Sequence, residues 1–165
     1  TPGLVDAHQH LTADPLVRCC IPDRIDSATA IGEWAVPLHA ALRPVDDELA
    51  ATLAAVEAVS NGVTTIVEAG TIAHHEAVAV ALRTVGVRAT LGVWGWDVGD
   101  GPHVAPVADV LDRQRAVVEA YSDDPLLDGW VTLVGNDLAT DELLGGAADI
   151  ACNLGTSLTM HLSPT

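Results

Sequence analysis

Short runs rich in β-branched and apolar residues alternate along this chain with longer stretches of helical period, the pattern of a parallel α/β sheet joined by crossover helices. The runs are Gly3 to Leu11, Val63 to Glu68, Val87 to Trp94, Trp130 to Val134 and Ser157 to His161, all of strand length. Between the first two, Pro44 precedes Asp46, Asp47 and Glu48, acidic residues suited to a helix N-terminus, and Leu49, Leu53 and Val56 fall on one apolar face before Asn61-Gly62 stops the helix. His74 to Val85 reads as a second helix closed by Gly86. Val107 to Tyr121 reads as a third, with Val107, Val110, Leu111, Val117 and Val118 apolar, and Thr140 caps a fourth that runs to about Asn153 before Gly155.

A chain of 165 residues holds one compact domain, and no linker divides residues 1–165 or marks a second domain. Two connections are too long for simple turns: Thr12 to Val45, and the Gly-, Asp- and Pro-rich Gly95 to Pro106. In this architecture long loops after strands carry function. Parallel strands in this order are consistent with an open doubly wound sheet or with five-eighths of a (β/α)8 barrel. Neither G-x-G-x-x-G nor G-x-x-x-x-G-K-[ST] occurs, so a nucleotide-binding fold loses its main support.

Composition narrows the partners. The chain has 23 acidic residues against seven arginines and no lysine, a net charge of −16 that repels phosphate backbones and anionic lipid surfaces. Nucleic acid and membrane partners are therefore not expected, and no apolar stretch reaches the ~18 residues of a membrane span. Three cysteines, with Cys19 and Cys20 adjacent, make no disulfide framework and fit a reducing cytoplasm. The chain lacks an initiator Met and runs from Thr1-Pro2-Gly3 straight into apolar residues, which suggests that something has been removed upstream.

The sharpest motif is Val5-Asp6-Ala7-His8-Gln9-His10, at the end of the first run. A side-chain period of two places Asp6, His8 and His10 on one face of a strand. Two imidazoles so spaced can converge on one divalent ion, with Asp6 orienting a ligand from behind. Satisfied strand histidines are the alternative.

The segment Pro2 to His10 resembles the opening signature of the amidohydrolase superfamily, an apolar strand ending in H-x-H. The resemblance continues through Asn61-Gly62-Val63-Thr64-Thr65, Gly86-Val87-Arg88-Ala89 and Thr159-Met160-His161-Leu162, like that family's second, third and fifth strands, and it covers essentially the whole chain. The nearest branch is the cytosine deaminase and chlorohydrolase-like group. The resemblance implies a TIM-type (β/α)8 barrel of which about the first five strands are present. It also implies one divalent metal, Zn or Fe, held by His8, His10 and His161, and hydrolysis of a non-peptide C–N bond in a cyclic amide, amidine or aminated heterocycle.

Binuclear relatives commonly use a carbamylated lysine; the absence of lysine therefore favours a mononuclear site. Relatives of the deaminase type carry a general acid–base Glu three residues after the fifth-strand His, where this chain has Pro164, so the acid–base residue stays unassigned. The family's further His and Asp ligands would come from strands six and eight, beyond Thr165, and the chain reads as part of a longer enzyme.

Weaker candidates lie around this core. Trp94, Trp96 and Asp97 follow the third run and offer an aromatic wall or loop packing; Asn136 and Asp137 follow the fourth and offer a substrate contact or a turn. Trp34 sits in the first long loop, where relatives shape the substrate pocket. His74 and His75 read as a solvated helix start, Glu68 as a carboxylate that points into the cavity for catalysis, supports the site from behind or bonds a loop, and His39 and His103 have no partner spacing. No cysteine nucleophile signature accompanies Cys19-Cys20. The expected protein is a cytoplasmic metal-dependent hydrolase of a small-molecule substrate, with homo-oligomerisation left open. Its rivals are dehalogenation on the same scaffold and a catalytically incomplete half-barrel acting as an interaction module.

Overall fold

The computed structural model describes residues 1–162; the Pro164 position discussed above lies outside them. Strand β1 (Leu4–Gln9) is followed by a long connection that builds short helical turns, among them α1 (Ser27–Thr29) and α2 (Val36–Ala41). Helix α3 (Pro44–Ser60) leads to β2 (Val63–Glu68), α4 (His75–Val85) to β3 (Arg88–Leu91), and α5 (Val107–Ala120) to β4 (Leu127–Gly129) and β5 (Val131–Gly135). Helix α6 (Asp141–Leu154) and strand β6 (Leu158–His161) complete the order.

All pairings are parallel, in a four-stranded order β1-β2-β3-β4 and a two-stranded order β5-β6. The fourth expected run therefore begins earlier than its apolar pattern indicates and is split at Trp130. The Trp130 N–H donates to the Leu91 carbonyl at 2.9 Å and the Val134 N–H to the Gly95 carbonyl at 2.9 Å, so β5 continues the sheet where β4 leaves it. Strand β1 is shorter than its apolar run; His10 stands just past its end. Beyond β3, Val93 pairs with Ile72 in an isolated bridge.

The helices form where their signals place them. Asp46 accepts from the Arg43 backbone N–H at 3.0 Å and caps α3, and the Thr140 hydroxyl accepts from the Leu143 N–H at 3.2 Å and caps α6. The buried face of α3 differs from the expected one. Ala50, Ala51, Ala54, Ala55 and Ala58 are buried, whereas Leu49, Leu53 and Val56 are about half exposed. The alanines repeat at helical spacing, and their small side chains let α3 lie close against β2 and α4. Large apolar residues carry more signal in a hydrophobicity pattern than alanines do, which is why the wrong face reads as the core.

Two apolar clusters follow from this layering. One packs Leu11, Ile66, Leu82 and Leu91 between the first strands and α3–α4; the other packs Val131 and Leu133 against Val110, Leu143 and Ile150 of α5 and α6. Gln114 of α5 is fully buried between them: its amide N–H donates to the Val93 carbonyl at 2.9 Å and its carbonyl accepts from the Thr132 N–H at 2.9 Å. Both ends of the amide are satisfied, so α5 is tied by hydrogen bonds to the ends of two strands. No helix among the described residues is long and apolar enough to cross a membrane.

Candidate metal centre

His8 lies near the C-terminal end of β1, His10 just beyond it, and His161 is the last residue of β6. In a flat sheet these two strands, four ladder positions apart, would be separated by about 19 Å. Instead the His8 and His161 ring centroids are 4.8 Å apart, His8 and His10 5.1 Å, and His10 and His161 5.3 Å. The sheet curls until the C-terminal ends of its first and last strands meet.

One nitrogen from each of the three rings lies within 4.8 Å of the others. Nitrogens bound to one zinc at ~2.0–2.1 Å sit about 3–4 Å from each other, a separation within reach of small ring rotations. The tautomers suit this use. The His161 Nδ1–H donates to the Val134 carbonyl at 2.6 Å, and a carbonyl can only accept, so the Nε2 lone pair of His161 is left for a ligand bond. The His10 Nδ1 is engaged with the Thr71 hydroxyl at 2.9 Å. Burial and the neighbouring His161, His8 and His39 hold the His10 imidazole well below its usual range, at about 4, which keeps it neutral as a metal ligand must be. The donor set thus fits a mononuclear divalent ion.

Asp6 braces this segment through the backbone: its carboxylate accepts from the His8 N–H at 3.2 Å.

A cavity of about 490 Å³ opens beside His10 and His161, its wall formed largely of apolar groups from Ile31, Ala35, Val36, Trp94 and Trp96. Both expected tryptophans therefore flank it. Trp94 is almost wholly buried, and the Trp96 indole N–H donates to the Val98 carbonyl at 2.6 Å. Asp137 and Leu138 contribute to the wall in place of Asn136, which is exposed, and Asp97 points elsewhere to accept from the Thr140 N–H and hydroxyl at the start of α6. Trp34 is turned outward while its neighbours Ile31, Gly32, Ala35 and Val36 line the cavity, because the helical turn that carries it presents the opposite side.

Three further residues matter that spacing did not reveal. His39 of α2 is buried edge-on against Trp94 at 5.3 Å and lines the cavity, and His103 stacks on Trp94 at 4.1 Å. Thr71 lines the cavity as well. Each comes from a connection between strand and main helix whose path sequence periodicity does not encode. Glu68, at the end of β2, is fully buried, and burial pushes its carboxyl up to about 8 against hydrogen bonds from Gly70 and Thr71 that favour the charged form.

The solvated start expected for α4 is instead pinned. The His74 Nδ1 meets buried Asp47 of α3 at 2.8 Å, and the His75 Nδ1 meets the Tyr121 hydroxyl at 2.8 Å. All three cysteines are free and exposed.

Burial of His39 makes a measurable prediction. Desolvation, with the nearby His103, lowers its pKa to about 4, while the unfolded chain protonates it near 6.5. Between these values the unfolded state binds more protons, so stability is complete above about pH 6.5 and falls as pH drops towards about 4. From about pH 7.5 to about pH 5 this single group should remove about 2 kcal/mol of unfolding free energy, and His39→Phe should remove that share of the acid loss. Denaturant titrations at the two pH values measure it; equal acid loss in both proteins would contradict it.

The curled parallel sheet is a fold that this chain shares with solved structures. Nearly the whole chain is similar to part of each of several larger proteins. It is 29% identical over 162 residues to 5-methylthioadenosine/S-adenosylhomocysteine deaminase of Syntrophobacter fumaroxidans, covering 98% of this chain and 36% of that protein. Triazine hydrolase from Arthrobacter aurescens superposes with a TM-score of 0.82 at 19% identity, over 97% of this chain and 40% of the other. An adenosine deaminase from Xanthomonas campestris with bound zinc superposes with a TM-score of 0.84 at 22% identity, over 97% of this chain and 36% of the other. The chain thus spans between about a third and two fifths of these proteins' length. No protein-family model matches it.

Proposed function

We propose that residues 1–165 form one part of a (β/α)8 barrel, about its first five strands, in a cytoplasmic metal-dependent hydrolase that cleaves a C–N bond of an aminated heterocycle. The observation that carries this reading is the convergence of His8, His10 and His161, of which His10 and His161 line a largely apolar cavity flanked by Trp94 and Trp96. His8, His10 and His161 hold one divalent ion, Zn or Fe. When bound, that ion supplies Lewis acidity, lowering the pKa of a coordinated water to about 7.

The protein's own side chains do the rest of what the described residues can do. Trp96, with the edge of nearly buried Trp94, offers apolar surface to a ring. His39, neutral at physiological pH, adds an uncharged polar edge to the wall. With Asp137 the only carboxylate on the cavity wall among the described residues, the cavity suits a neutral, planar small molecule better than a polyanion. Exposed thiols without a disulfide fit a reducing compartment. The similarity to nucleoside and S-adenosylhomocysteine-type deaminases supports an aminated purine as the first substrate class.

A second reading, release of halide or another leaving group, is favoured by Pro164 at the position where deaminase-like relatives carry Glu, and by the likeness to triazine hydrolase. The test is a panel of aminated purines, cyclic amidines and chloro- and amino-s-triazines offered to the complete zinc-loaded protein, scored for ammonia and for halide. Ammonia release that stops on chelation is expected. Halide release alone would replace the reading by the second one, and no turnover of any member by a protein with zinc at the three histidines would overturn both.

A further inference from the structure

Resting on the reading of His10 as a metal ligand, we propose that Thr71, braced by buried Glu68, is a positioning residue for His10: its hydroxyl holds the ring by Nδ1 and so presents Nε2 to the metal. The observation is a continuous chain of contacts from a buried carboxylate to one imidazole. Glu68 ends β2, and its two carboxylate oxygens are both occupied. Oε2 accepts from the Gly70 N–H at 2.6 Å; Oε1 accepts from the Thr71 N–H at 3.3 Å and from the Thr71 hydroxyl at 3.4 Å.

A threonine has one hydroxyl hydrogen. With that hydrogen directed to Glu68, the Thr71 oxygen can only accept from the His10 Nδ1, 2.9 Å away. His10 is thereby held as the Nδ1–H tautomer, with the Nε2 lone pair free. His161 reaches the same state by a different route, through the Val134 carbonyl.

The backbone is shaped for the same end. Gly70 adopts φ +88°, a left-handed conformation that wraps two successive N–H groups around the carboxylate, and a Cβ there would lie 2.7 Å from the Thr132 Cβ. Thr71 is itself held from the other side, where the Thr12 hydroxyl donates to its carbonyl at 3.4 Å.

Thr71→Val keeps the shape and the backbone bonds to Glu68 but removes the hydroxyl; Thr71→Ser restores it. Zinc affinity of the complete protein, measured by competition with a chromogenic chelator, should weaken about 10–100-fold in Thr71→Val and return to near wild type in Thr71→Ser. Glu68→Gln places an amide N–H₂ opposite the hydroxyl or the turn N–H groups, and should weaken zinc similarly. Imidazole ¹⁵N shifts of the metal-free protein give a second readout: the His10 signal should move away from the pure Nδ1–H tautomer in Thr71→Val. Should Glu68→Gln fail to fold, the Thr71 pair decides alone. Wild-type zinc affinity and an unchanged tautomer in Thr71→Val would overturn the positioning role while leaving the three-histidine site standing. Zinc retained in full by His10→Ala would instead overturn the metal-site reading itself.

Discussion

His8→Ala and His161→Ala should each reduce bound zinc or iron from about one ion per chain to background in protein purified without chelator. The two histidines come from strands at opposite ends of the curled sheet, and with His10 they are the group of ligand atoms gathered within 4.8 Å among the described residues. Removing either leaves two imidazoles, and the loss should exceed the ~10–100-fold that removing a mere orienting partner costs. His39→Ala is the control. His39 lines the same cavity but stands outside the cluster, so that variant should keep its metal. Elemental analysis of the four proteins decides the matter. An ion retained in full by His8→Ala and His161→Ala would show that it binds elsewhere.

The largest expected change in stability is at Gly129. A Cβ there would lie 2.4 Å from the Val117 carbonyl oxygen and 2.5 Å from the Val118 Cα, both backbone atoms of α5. A side chain in the way could rotate; a helix backbone must move as a body. Helix α5 is not free to do so, since Gln114 ties it to Val93 and Thr132 and its residues Val110, Val117 and Val118 are buried. Gly129→Ala should therefore cost about 3 kcal/mol, at the upper end for overpacking. Gly145 of α6, by contrast, has nothing within 4 Å of an added Cβ, and Gly145→Ala should stabilise the protein by ~0.5–1 kcal/mol. Denaturant midpoints that shift in opposite directions are the expected result; a Gly129→Ala protein as stable as wild type would show that β4 and α5 are packed less tightly than their geometry indicates.

The proposed aromatic pocket separates into parts that local pattern reveals and parts that it does not. Trp94 and Trp96 are legible because they directly follow a strand-length run, where a parallel α/β sheet carries its functional loops. His39 is not, because α2 lies within a long connection whose course is set by packing against Trp94 rather than by its own periodicity. Trp34 shows the reverse error: an aromatic residue in the right loop, on the outward side of the helical segment that carries it. Asn136 and Asp137 are adjacent in sequence, yet only Asp137 reaches the cavity, since neighbours in a tight turn point in different directions.

Alternation of β-branched runs with capped helices is enough to specify parallel strands and crossover helices in their order, because side-chain period, capping and turn chemistry all act within a few residues. The H-x-H spacing is local in the same sense and places two imidazoles together at the end of β1. The buried face of α3 is not decided locally: alanines and larger apolar residues compete, and the close approach to β2 and α4 selects the smaller side chains. The same holds for the third imidazole and for the tautomers. His161 lies 151 residues beyond His10 in the chain, and it meets the pair because sheet curvature, an accumulated property of every strand pairing, brings the two ends together. The orientation of each ring then depends on partners from other elements, Val134 for His161 and Thr71 for His10, whose contacts exist once the strands have closed.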